Sequence, residues 1–110
     1  MALLVHTWDI PQDRKGRAEY QLVGQEAIPI VVRQPGVREF RAYRNPLGAT
    51  PQVMVHIEFD ADAYLYQFLE SYVHQDIVSD LIRVGVRNFR TEVWTGSPVV
   101  PTPIRPNRDE

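Results

Sequence analysis

Gln52 to Tyr72 reads QVMVHIEFDADAYLYQFLESY, and the spacing of its apolar residues changes partway along. Val53, Val55, Ile57 and Phe59 alternate with Met54, His56 and Glu58, the period of a strand that buries one face. From there Ala61, Tyr64, Leu65, Phe68, Leu69 and Tyr72 recur at i, i+3, i+4, i+7, i+8 and i+11, which is one face of a helix. Asp60 stands at the change of period and is a candidate cap for that helix. A second apolar set, Ile77, Val78, Leu81 and Ile82, follows Ser71 to His74, so the helix is expected to bend or restart there before Gly85 releases the chain.

Upstream, Val37 to Arg44 mixes charged with apolar and aromatic residues, and Asn45 to Pro51 (NPLGATP) is rich in turn formers, so these residues and Gln52 to Phe59 are expected to form a hairpin. Leu3 to Trp8 reads as a first strand closed by Ile10-Pro11. Asp13 onward favours a helix, with Ala18, Leu22, Val23, Ala27, Ile30 and Val31 toward the core and Arg14, Lys15 and Arg17 toward solvent. Pro29 should kink that helix or mark an irregular last turn, and Gln34-Pro35-Gly36 ends it. Asn88 to Thr95 is a last strand. The order β-α-β-β-α-β predicts an α+β, ferredoxin-like fold, a four-stranded antiparallel sheet with helices on one face and the first and third strands central. The domain is expected over residues 1–96, followed by a Pro-rich tail over 97–110 carrying Pro98, Pro101, Pro103 and Pro106.

The 110 residues suit a single domain, and 44% hydrophobic with 24% charged residues is the balance of a chain with a packed core. Twelve basic against 14 acidic residues offer no excess of positive charge to hold a phosphate backbone, so nucleic acid is not an expected partner. The absence of cysteine removes disulfides, thiolate metal sites and cysteine nucleophiles. His6 and Asp9 interrupt the N-terminal apolar run before a signal core can form, and no apolar run approaches membrane-spanning length; the expected location is the cytoplasm, with no membrane partner.

Alternation along each strand sorts residues onto a helix-facing side and an open side. The open side is expected to hold Leu4, His6 and Trp8 from the first strand, Glu39, Arg41 and Tyr43 from the second, Met54, His56 and Glu58 from the third, and Arg90, Glu92 and Trp94 from the last. The helix-facing partners are Leu3, Val5, Thr7, Phe40, Ala42, Phe89, Thr91 and Val93. Aromatic side chains mixed with ionisable ones make a poor naked surface, so a second copy of the chain is expected to cover this face as a homodimer. A part-polar cavity between the two sheets would take a small organic molecule. Its candidate acid/base group is His56, with His6 and Glu58 beside it; Trp8, Tyr43, Met54, Arg90 and Trp94 are candidate binding residues. His6, His56 and Glu58 also have the donor types of a metal site, but no metal is assigned to them.

Pro35-Gly36-Val37 running into Phe40-Arg41-Ala42-Tyr43-Arg44-Asn45, the strand His56-Ile57-Glu58-Phe59-Asp60 leading into an aromatic-rich helix, and the closing Glu92-Val93-Trp94 resemble the dimeric α/β-barrel superfamily, within it the antibiotic biosynthesis monooxygenase-like proteins. The resemblance spans about Leu3 to Trp94. It implies a homodimer and, by analogy with members that oxidise aromatic polyketides without metal or flavin, a cofactor-independent monooxygenase acting on a small aromatic or quinone-like substrate. The alternative is a non-catalytic ligand-binding or interaction module of the same fold. Those oxygenases and their haem-degrading relatives commonly carry an asparagine near the end of the first strand, where this chain has Thr7-Trp8-Asp9. Haem is accordingly not expected, and His74 is assigned to a helix start or to solvent.

Overall fold

A computed structural model describes residues 1–107. The elements run β1 (Ala2–Asp9), α1 (Arg14–Val32), β2 (Val37–Arg44), β3 (Val53–Phe59), α2 (Asp62–Glu70), α3 (Tyr72–Arg83) and β4 (Arg87–Thr95). The four strands form one sheet in the order β2-β3-β1-β4, with every neighbouring pair antiparallel. This is the expected ferredoxin-like α+β arrangement, with the helices on one face.

Each junction has a local cause. The Asp13 carboxylate accepts from Gly16 N at 2.6 Å and caps α1. Gly36 adopts φ +77°, and a side chain there would run into the Tyr64 ring, so the turn into β2 needs glycine. In the β2–β3 hairpin Asn45 Oδ1 accepts from Leu47 N at 2.9 Å while Asn45 Nδ2 donates to Ala49 O, an Asx-type turn. Ser71 both ends α2 and caps α3, its Oγ accepting from His74 N at 3.2 Å.

Several expectations are corrected. Asp60 does not cap α2; Ala61 occupies that position without a side-chain bond, and Asp60 is drawn instead to Arg38 at 3.2 Å. Tyr72, expected in the core, is 81% exposed because the break at Ser71 resets the helical phase. On α1 the inward stripe is Tyr20, Val23, Ala27 and Val31, whereas Ala18, Leu22 and Ile30 are exposed. Pro29 lies in the last turn of the helix, which ends at Val32.

The largest correction concerns β1. Ala2, Leu4 and Trp8 lie in the core with Val55, Ile57, Phe59, Leu65 and Phe68, and His6 contacts α3; the side expected to be open is the one beneath the helices. Leu3, Val5 and Thr7 take the open face instead. The reason is that β1 is central and apolar on both sides, so its pattern has no polar face to fix which side is which. The other strands sort as expected, since Val53, Phe40 and Phe89 pack on the core and Thr91 bonds to His6. Residues 96–107 contain no helix or strand, and the rest of the proposed tail, residues 108–110, lies outside the described residues. No helix among the described residues is long and apolar enough to cross a membrane.

Candidate functional site

The expected constellation is divided by the sheet. Register places Arg41, His56, Val5 and Glu92 in one row across the open face, Tyr43, Met54, Thr7 and Arg90 in the next, and Glu39, Glu58, Leu3 and Trp94 in a third. His56 lies against the Tyr43 ring, with centroids 5.0 Å apart. Six of the eight candidates therefore share the open face: His56, Glu58, Tyr43, Met54, Arg90 and Trp94. His6 and Trp8 lie on the other side, so His6 cannot join His56 and Glu58 around one substrate or ion. Among the described residues no group of three His, Asp or Glu side chains is close enough to hold a metal.

Beneath the helices His6 and Trp8 begin two polar arrangements. His6 is buried, with Nε2 3.1 Å from His74 Nε2 on α3 and Nδ1 3.0 Å from Thr91 Oγ1 on β4. Burial, and then the charge His74 would carry, hold the His6 imidazole down at about 4, only partly offset by the Arg90 backbone. Burial also lowers His74, against an opposing hydrogen bond to the Leu69 backbone. His74 is thus neither a solvent residue nor only a helix start; it ties α3 to the sheet. Trp8 stacks on Phe89 with centroids 5.8 Å apart and donates from Nε1 to the Tyr20 hydroxyl at 3.0 Å. Tyr20, held above its ordinary pKa by burial, keeps its own proton to donate.

The Trp8–Tyr20 pair forms one side of a cavity of about 350 Å³ between α1 and the sheet. Val31, Phe40, Val53, Val55 and Leu81 make its apolar walls; Gln21, Gly24 and Gln25 border it from α1. Among the described residues its lining contains no carboxylate and no imidazole. A predominantly apolar chamber with a few hydrogen-bonding groups is the usual form of a small-molecule site. Of the expected candidates only Trp8 lines it. Tyr20 and Gly24 were missed, and one signal was available: Gly24 sits inside α1, where glycine costs about 1 kcal/mol against alanine and no turn requires it.

A further polar knot closes the end of β1. The Asp9 carboxylate accepts from Thr50 Oγ1 at 2.5 Å, Asn88 Nδ2 at 2.7 Å and Gln52 N at 3.0 Å. The hydrogen bonds from Thr50 and Asn88 hold Asp9 below the ordinary carboxylate range, and Arg87 nearby adds to this. The knot joins the β2–β3 loop to the start of β4. Through these three hydrogen bonds Asp9 fixes the end of β1 to its neighbours.

No protein-family model matches the sequence, and no curated protein matches it. Solved structures do match in fold. A variant of SnoaB from Streptomyces nogalater, described as a cofactor-independent oxygenase, superposes with a TM-score of 0.70 over 92% of this chain and 97% of its own, at 13% identity. An antibiotic biosynthesis monooxygenase gives 0.69 over 89% of this chain and 100% of its own, at 11% identity. A dimeric ferredoxin-like protein of unknown function from Jannaschia sp. gives 0.67 over 86% and 99%, at 16% identity. The chain has the ferredoxin-like fold that these structures share, antibiotic biosynthesis monooxygenases among them.

Proposed function

We propose that the chain binds a small aromatic or quinone-like molecule in the cavity beneath α1 and oxidises it as a cofactor-independent monooxygenase. The observation that carries this is the apolar chamber with Trp8 and Tyr20 at one side; the likeness to SnoaB supports the reaction type. In this reading Trp8 and Phe40 flank a flat ring and the Tyr20 hydroxyl donates to its oxygen, favouring the ionised substrate. An anthrone-type methylene would lose two hydrogens; one atom of O₂ would become the new carbonyl oxygen and the other would leave as water. Because no carboxylate or imidazole among the described residues lines the cavity, suitable substrates are those acidic enough to ionise without a dedicated base. That same lining favours the second reading, a ligand-binding protein without turnover.

Gly24→Leu separates the cavity from the rest of the molecule. Nothing lies within 4 Å of where a Cβ would stand, so the new side chain has room to fill the chamber's edge. It should abolish oxygen uptake with anthrone or hydroquinone and at the same time raise stability by about 1 kcal/mol. Uptake that survives in the variant would place the reaction elsewhere; binding of these compounds to the wild type without uptake would favour the ligand-binding reading.

The homodimer is proposed on the open face. Trp94 and Tyr43 are 56% and 41% exposed there, beside Leu3 and Met54. His56 and Glu58 would then be contact residues between copies. Light scattering at micromolar concentration should give about twice the 12.7 kDa chain mass, and Trp94→Glu should shift the protein toward the single chain. A monomer at that concentration would refute the pairing.

A further inference from the structure

The cavity beneath α1 adjoins a shallower depression of about 400 Å³, and the two have Tyr20, Gln21, Ala42 and Val53 in common. The depression adds two cations, Arg17 from the first turns of α1 and Arg44 from the end of β2, and no carboxylate among the described residues. Among the described residues, no carboxylate lies within ion-pair distance of either arginine. Other arginines among the described residues also lack an acidic partner, and what sets Arg17 and Arg44 apart is that both line the depression beside the cavity.

Neither arginine is simply a free surface group. The Arg17 guanidinium donates to the Gln12 and Pro11 carbonyl oxygens, which hold it at the edge of the depression. Arg44 is near enough to Tyr20 for its charge to favour the ionised phenol. Two guanidinium groups thus stand beside an apolar chamber, neither of them neutralised by an ion pair among the described residues. Guanidinium groups match planar oxyanions, carboxylates above all, in both charge and hydrogen-bond geometry.

We infer that the ligand of the cavity is a flat aromatic acid, its ring beneath α1 and its carboxylate facing Arg17 and Arg44 at the mouth. The inference rests on the cavity being the binding site and adds the charge of what it takes. Arg17 and Arg44 then determine specificity, while Trp8 and Tyr20 hold the ring.

Calorimetric titration of the full chain with 2-naphthoate and 2-naphthamide tests this, since the two probes share a ring and differ in charge. Naphthoate should bind about tenfold more tightly at low salt, the scale of one charge-assisted contact, and the advantage should shrink as salt is raised. Arg17→Gln and Arg44→Gln should each lower the ratio of the two affinities, and the double variant should bring it to about one, as expected when the charge contacts are gone. Equal affinities in the wild type, or a ratio untouched in the double variant, would overturn the inference while leaving the cavity reading in place. If neither probe binds, both fall.

Discussion

Acidification from pH 7 to pH 4 is expected to cost the folded chain on the order of 3 kcal/mol through His6 alone. In the unfolded chain the imidazole titrates at its ordinary 6.5, but in the fold it is held at about 4 by burial and by His74. Between those values the unfolded state binds the proton and the folded state does not. Stability is therefore full above about 6.5 and is lost as pH falls toward 4. His74, also lowered, acts in the same direction. Asp9 acts below this window, because its folded value lies under 3.8 and its contribution disappears only as the carboxylate is protonated. Urea melts at a series of pH values should show the slope between pH 6.5 and 4, and His6→Leu should flatten it. A slope unchanged in that variant would assign the acid sensitivity to other groups.

Trp8→Ala is expected to destabilise the chain by about 3–5 kcal/mol, the usual cost of removing a large buried aromatic from a core. Trp8 is only 7% exposed, stacks on Phe89 and donates to Tyr20, so truncation removes packing and leaves the Tyr20 hydroxyl without that donor. Trp94→Ala provides the contrast. At 56% exposure it should change the unfolding of the single chain by no more than about 0.5 kcal/mol. Denaturant midpoints of the two variants, measured at a concentration where light scattering gives the single-chain mass, check both values. Equal losses would mean that the two tryptophans share a face, which contradicts the orientation of β1.

That orientation marks where the sequence was legible and where it was not. Along β3 four apolar residues alternate with Met54, His56 and Glu58, and the polar side chains identify the open face without ambiguity. Along β1 the alternatives are Leu3, Val5 and Thr7 against Leu4, His6 and Trp8, two sets of similar apolar character. A central strand with Val5 5% exposed on one side and Leu4 buried on the other carries no surface residue to decide between them. The decision comes from tertiary partners, His74 for His6 and Tyr20 for Trp8, which lie 68 and 12 residues away. The break at Ser71 was legible because serine is a good helix cap, but its effect on the phase of Tyr72 was not. The cavity could not be read from residue types at all, because a chamber is defined by the space its walls leave open.

The way α1 is seated has a consequence for motion. Its only buried residues are Gly16 near one end and Val31 near the other, while its middle spans the chamber. A segment with few buried apolar contacts opens at a small fraction of the global unfolding free energy. The central turns of α1 can therefore breathe while the four-stranded sheet stays paired, and their amides should exchange with solvent well before those of β1 and β3. For the ligand proposed above, entry and exit would need only this local lifting of one helix rather than the unfolding of the whole chain.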